Sequence, residues 1–280
     1  MTSERFGIGP NYLQSWVYAG FVQDDWRATS KLTFALGLRY EYFLPYTEKY
    51  GHLSDYLLGP NFSSVSVVTA QQPDGLPASL VRSDPHLIGL RFGMAYRPWS
   101  QRSLVMRAGY SIFYNGSIYQ QLVPNLVDQP PFAQATTLIT SAAQPLSLEN
   151  GFPTTTGSRP ASNTYAVDPN YRVPYAQTWS AILEDQIYRN VILSVAYVGT
   201  KGTKLDVLMA PNETVTGQKA LEGLQFRYET DGATSIYHGL VVNLRRQHAG
   251  SCASGFGAEH GWRIGFAECK ALQLDPGARR

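Results

Sequence analysis

Lys31–Phe43 reads KLTFALGLRYEYF. Leu32, Phe34, Leu36, Leu38, Tyr40 and Tyr42 share one parity; Thr33, Ala35, Gly37, Arg39 and Glu41 share the other. Side chains of a strand alternate faces with period two, so this stretch predicts one apolar face and one small or charged face. Ile88–Arg97 (IGLRFGMAYR) repeats the pattern, with Ile88, Leu90, Phe92, Met94 and Tyr96 opposing Gly89, Arg91, Gly93, Ala95 and Arg97. Ser103–Asn115 repeats it again, with Met106, Ala108, Tyr110, Ile112 and Tyr114 opposing Val105, Arg107, Gly109, Ser111 and Phe113.

The connections between such segments alternate in length. Arg27–Ser30, Pro98–Arg102 and Arg189–Asn190 are short. Leu44–Leu87, Gly116–Pro174 and Thr200–Ala233 are long and rich in Pro, Gly, Ser and Thr, which reads as loop. Further strand candidates are Trp16–Trp26, Tyr175–Tyr188, Val191–Gly199 and Ser235–Gln247. Hairpin topology sends successive connections to opposite rims. All short turns then lie at one rim and all long loops at the other, as in an outer-membrane barrel. The fold expected is all-β: antiparallel, up-and-down strands of a partial transmembrane β-barrel with long extracellular loops. Most of the segments reach the ~9–11 residues that a tilted strand needs to cross a bilayer.

Composition narrows the classes. Charged residues are 16% of the 280, and 18 Tyr stand beside 12 Phe and 5 Trp. A low charge content with many aromatics suits a lipid-facing wall with interfacial girdles. It also suits a secreted β-sandwich whose exposed tyrosines stack on sugars, and that binding module is the main alternative. A structural or adhesion barrel without energised transport is the other. A net charge of +2 is too small to imply nucleic acid. The mean hydropathy is −0.21, and no window approaches the ~18 apolar residues of a membrane helix.

About seven strands are fewer than the even set of at least eight that a single-chain barrel uses. Met1–Gln14 also lacks a basic stretch followed by an apolar core, so no secretory leader is read there. The expected organisation is an irregular segment at 1–15, a partial barrel at 16–247, and an atypical tail at 248–280 where alternation stops and both cysteines, Cys252 and Cys269, appear. A frame change near Gln247 would explain the tail, and the whole would be a piece of a longer barrel.

No catalytic set, cofactor site or metal site is read from the sequence. Asp24-Asp25 are adjacent and point to opposite faces of a strand, so they make no shared-proton pair. Gly199–Lys204 (GTKGTK) lacks the G-x-x-x-x-G-K-[ST] spacing of a phosphate loop. The histidines at 52, 86, 238, 248 and 260 show no ligand spacing with each other or with the cysteines. Arg39, Glu41, Arg91 and Arg107 are the candidate lumen-facing charges, because an unpaired charge facing lipid is costly. Trp26, Tyr40, Tyr42, Tyr96, Tyr110 and Tyr114 are the candidate membrane-interface aromatics.

Tyr18–Phe43 (YAGFVQDDWRATSKLTFALGLRYEYF) resembles a strand pair of TonB-dependent outer-membrane receptors of the Oar-like kind. Leu90–Trp99 (LRFGMAYRPW), Leu104–Asn115 (LVMRAGYSIFYN), Val167–Ile187, Val191–Leu205 and Ser235–Gln247 resemble later segments of that family in the same order. The resemblance implies an outer-membrane location with lipid around the wall. It implies uptake of an unknown substrate recognised by the long loops, with a plug domain and TonB as partners in the parent protein. The stretch that resembles the family, Trp16–Gln247, contains neither the plug nor the TonB-box region.

Overall fold

The structure is a computed structural model that describes residues 2–7, 9–59, 64–138, 145, 164–210, 226–247 and 259–274. In chain order the strands are β1 (Thr2–Gly7), β2 (Leu13–Gln14), β3 (Val17–Thr29), β4 (Leu32–Phe43), β5 (Thr47–Glu48), β6 (Ser54–Leu58), β7 (Val65–Thr69), β8 (Leu87–Tyr96) and β9 (Val105–Tyr114). Helix α1 (Ile118–Val127) follows, then β10 (Ala133–Leu138), β11 (Thr164–Val167), β12 (Tyr175–Tyr188), β13 (Val191–Met209), β14 (Phe226–Gln247) and β15 (Glu259–Leu274).

One nine-stranded sheet carries the molecule, in the order β11-β14-β13-β12-β9-β8-β4-β3, with β15 sharing the β11 side of β14: β11 pairs with its start and β15 with the rest. Apart from β11, which adds a short parallel pairing to the start of β14, the sheet is an antiparallel meander. The described short turns lie at one rim and are stitched together there. Arg97 donates its backbone N–H to the Lys31 carbonyl at 2.8 Å, and Lys31 Nζ donates to the Pro98 carbonyl at 3.2 Å. Ser103 Oγ donates to Asp185 Oδ1 and accepts from the Gln186 N–H, both at 3.2 Å. The turn between β8 and β9 is thereby tied to both neighbouring hairpins.

Registers confirm the two faces. Leu38 pairs with Leu90 and Leu36 with Phe92, while Gly37 pairs with Arg91 and Arg39 with Gly89. The apolar face is uncovered: Leu38 is 44% exposed and Leu90 46%. A β-sandwich would bury this face against a second sheet. None is packed on it among the described residues, and the sandwich reading is set aside. Leu32 to Tyr42 rises ~33 Å along β4 at 3.3 Å per residue, or about 25 Å across a bilayer at a 40° tilt, which matches the apolar band of a barrel.

The buried core lies at the other rim. Leu53, Val68, Leu80, Ile118, Leu122, Tyr165, Tyr171 and Val173 belong to one cluster built from the long connections. Phe43 and Tyr114, at the ends of β4 and β9, pack against it. The segments 44–87 and 116–174, read as loop from their Pro, Gly and Ser content, therefore fold in large part into a head with a hairpin (β6–β7), a helix and β11. Thr200–Ala233 is also shorter as a loop than read. β13 and β14 are 19 and 22 residues long, well beyond the ~10 needed to cross lipid, and their surplus rises into the head.

Two further corrections concern the ends. Residues 1–15 contain β1, which pairs with β10, and β2, which pairs with β5. The tail read as atypical supplies β15, so the meander has eight strands and not seven. Trp262, Ile264 and Phe266 occupy the register positions opposite Leu244, Val242 and Leu240. That period-two run follows the small-residue stretch Ala249–Gly257, where alternation is lost. β3 and β15 are the two edges of the sheet.

Candidate functional site

Parity places Arg39, Glu41, Arg91 and Arg107 on the face opposite the apolar one. Each charge has a neighbour there. Arg39 Nη2 meets Glu41 Oε1 at 2.8 Å, two residues along the same strand face. Arg107 Nη1 lies 3.8 Å from Glu184 Oε2 on β12. The Arg91 guanidinium sits over the Phe113 ring at 5.2 Å. Between them the wall is made of small residues: Ala35, Gly37, Gly93, Gly109, Ser111 and Ser180 line a hollow of about 570 Å³. Ser111 and Thr178 hydroxyls bond across the floor at 2.6 Å. The arrangement is a trough of mostly small side chains, with Phe113 and Val198 among them and charges held along it.

The aromatics fall on the apolar face, in two groups. Toward the turns, Trp26 stacks on Phe34 at 5.8 Å, Phe34 meets Phe92 at 6.0 Å, and Tyr96 pairs in register with Leu32. Toward the loops, Tyr40 is open to the surroundings, while Tyr110 donates its hydroxyl to Gln177 Oε1 at 2.9 Å. Tyr114 rests on Tyr175 at 5.6 Å. Tyr42 bonds Ser83 in the head at 2.8 Å, so it joins wall to head. One group missed from sequence stands on this face: Trp179 lies over Gly199, where its ring occupies the place a Cβ would take, and Tyr197 bonds His238 Nδ1 at 2.8 Å. The clue was cross-strand register, which single-strand parity does not supply.

Asp24 and Asp25 pair with Leu36 and Ala35, on opposite faces of an unbroken part of β3. Gly199–Lys204 lies within β13, where the register with β14 shifts between Gly202 and Leu205 and Lys204 adopts a φ of 54°. It is an irregular stretch of strand, not a phosphate cradle. Among the described residues no group of three His, Cys, Asp or Glu is placed to hold a metal.

The head is organised by three buried polar side chains from different segments. Gln129 donates to the Ser54 carbonyl at 2.6 Å and accepts from the Tyr165 N–H at 2.8 Å, which binds the end of α1 to β6 and β11. Asp55 Oδ1 accepts the N–H groups of Tyr56 and Val167 at 2.8 and 2.9 Å, while its Oδ2 is buried without a partner. Burial pushes the Asp55 carboxyl well above its ordinary value, with the two N–H donors pulling the other way.

Glu48 is the third. Burial acts to raise its pKa, but the N–H groups of His52, Tyr12 and Tyr50 together bring it below the usual carboxylate range. Tyr12 donates to Oε1 at 2.9 Å, and Tyr50 and His52 donate to Oε2 at 2.7 and 3.0 Å. The rings of these three residues continue into Phe132. Tyr12–Tyr50, Tyr50–His52 and His52–Phe132 centroids are 5.8, 5.8 and 5.2 Å apart. Sequence reading missed this ladder because its members come from three distant segments.

A hollow, polar-faced meander with an apolar outer face and all long connections at one rim is the geometry of an outer-membrane β-barrel wall. The family model described as outer membrane beta barrel domain matches residues 2–256, and the chain belongs to that family. Its apolar face is therefore the face that outer-membrane lipid covers. No curated protein matches the chain. Among solved structures it is similar to the outer membrane transporter YddB from Escherichia coli, at 9% identity and a TM-score of 0.47, over 92% of this chain and 34% of that one. It is also similar to the structure of the FpvAI-pyocin S2 complex, at 10% identity and a TM-score of 0.43, over 92% of this chain and 24% of that one. The chain thus spans about a third of the one and about a quarter of the other.

Proposed function

We propose that the chain is a sector of the barrel wall, with its recognition head, of an outer-membrane transporter of the TonB-dependent, Oar-like kind. The observation that carries this reading is the pairing of a polar trough with an ordered head at one rim of the same sheet. A trough lined largely by Gly, Ala, Ser and Thr leaves room for a passing solute, and Arg39, Arg91 and Arg107 are held by neighbours along it. The head stands where a molecule arriving from outside meets the wall. The serial resemblance of Tyr18–Phe43 and the later segments to that receptor family adds independent support.

On this reading the wall guides, the head selects, and no bond is made or broken. β3 and β15 carry unpaired backbone groups that lipid does not tolerate, so further strands complete the wall. In the whole receptor a plug domain fills the passage and TonB supplies the energy. The test uses the whole receptor, solubilised in detergent, and the periplasmic domain of TonB on a resin. Retention that depends on the plug is expected. A receptor that folds and does not bind TonB overturns energised transport and leaves a structural or adhesion barrel.

A further inference from the structure

We propose that Tyr12, Lys49, Tyr50, His52 and Phe132 form a binding platform for an acidic saccharide at the loop rim. The proposal deepens the recognition role given above to the head by naming the ligand class. Tyr12 and Tyr50 are 52% and 51% exposed, although their backbones are tied into the Glu48 hydrogen-bond network. Their backbones are fixed while their rings are left open. Glu48 takes the N–H of Tyr12, Tyr50 and His52, Lys49 donates its own N–H to the Tyr12 carbonyl at 3.0 Å, and Gln71 Nε2 holds the Tyr50 carbonyl at 3.1 Å. A buried carboxylate spent on three ring-bearing residues is a device for presenting rings, because packing alone would have covered them.

The chemistry of the platform points to its ligand. Rigid tyrosines present a large amphipathic surface at a low entropic cost, and the apolar C–H face of a pyranose fits such a ring. Four rings in successive contact, two of them on half-exposed tyrosines, offer more than one stacking surface, which suits a chain of sugar units more than a single compact solute. The charge exposed beside these rings is Lys49. Lys49 Nζ lies 5.5 Å from the Tyr12 centroid and 5.2 Å from that of Tyr50, and it pairs with no carboxylate among the described residues. Glu48 keeps its charge but is buried behind the rings, where its oxygens face the three N–H donors. A sugar chain carrying carboxylates would place rings on the tyrosines and charge on Lys49.

Free polyuronates and the anionic sugars of outer-leaflet glycolipids share this chemistry, and two probes separate them. The full chain, in detergent micelles, is titrated with hexagalacturonate and, separately, with lipopolysaccharide, following tyrosine fluorescence and heat of binding. Binding of one or both is expected, and the one that binds identifies the source. Tyr50→Ala is expected to weaken it about tenfold, the loss of one central aromatic anchor. Tyr50→Phe, which keeps the ring, should bind as the original does. Lys49→Gln should weaken the acidic probe and leave a carboxyl-reduced hexasaccharide unchanged. No binding of either probe, or equal binding by Tyr50→Ala and Lys49→Gln chains that keep the native β-sheet circular dichroism, overturns the platform. TonB plays no part in this titration, so its failure and the failure of the transport reading are separate results.

Discussion

Leu53 and Leu38 belong to one chain, yet the first is fully buried and the second is nearly half exposed. Leu53 lies in the head, where apolar side chains from several segments close on one another and water is the solvent outside. Leu38 lies in the wall, where a single layer of backbone separates a polar trough from the apolar side. The head obeys the rule of a soluble domain and the wall obeys the rule of a barrel. Identical residues therefore carry different stability in the two regions, and substitutions can test the difference.

Leu122→Asp should have the largest effect. It buries an unpaired charge among Ile118, Leu126 and Tyr165 and should cost the head at least about 4 kcal/mol. Limited proteolysis should then cut within 44–86 and 115–174 while the β-sheet signal in circular dichroism survives. Loss of both together would show that head and wall fold as one unit. Leu38→Arg comes next, at about 2–4 kcal/mol for a charge on the lipid face near mid-membrane. Ala35→Arg, in the trough, should cost far less. Urea titration of chain folded in liposomes compares the two, and equal costs would mean that Leu38 does not face lipid.

Glu48→Ala removes the acceptor of three part-buried N–H groups and should cost the head about 1–3 kcal/mol. Its carboxyl is held below its ordinary value of 4.5. The stability it contributes is present above that value and is lost as pH falls through the lower native one. Asp55 has the opposite sign. Its native value lies well above 3.8, so the stability that the protonated Asp55 contributes is fully present below 3.8 and is lost as pH rises toward the native value. Asp55→Asn keeps an acceptor for Tyr56 and Val167 and should flatten that slope. Hydrogen exchange of the Val167 amide in mild acid and at neutral pH measures it. Arg107→Ala should be the smallest change, within about 0.5 kcal/mol, because its 3.8 Å pair with Glu184 is half open to solvent.

The wall was legible in the sequence because its rule is local. Period two within β4, β8 and β9 separates Leu38 from Arg39 and Phe92 from Arg91 without knowledge of any partner strand. β3 was poorly legible, since Phe21 and Val22 are both exposed on an edge that carries apolar residues on either side. β15 alternates well from Gly261 to Ala267 but follows a small-residue stretch that hid it. The head was not legible because its contacts are long-range. Gln129 meets Ser54 across 75 residues and Asp55 meets Val167 across 112. Pro, Gly and Ser between such partners look like loop until the partners are known. The same holds for the ladder, whose rings at 12, 50, 52 and 132 have no common period.

The folded head also dictates an order of events during assembly. Asp55, Gln129 and Glu48 are buried with their polar partners, and together with the packed core they make a body far wider than a tilted strand. Such a body does not pass through hydrocarbon. With the head outside the membrane, as proposed above, the long segments would cross the bilayer as extended chain and the head would pack after the hairpins are in place. Maturation of the ladder is then a late step, and a chain with a well-formed wall but an immature head is the intermediate to seek in a time-resolved proteolysis experiment.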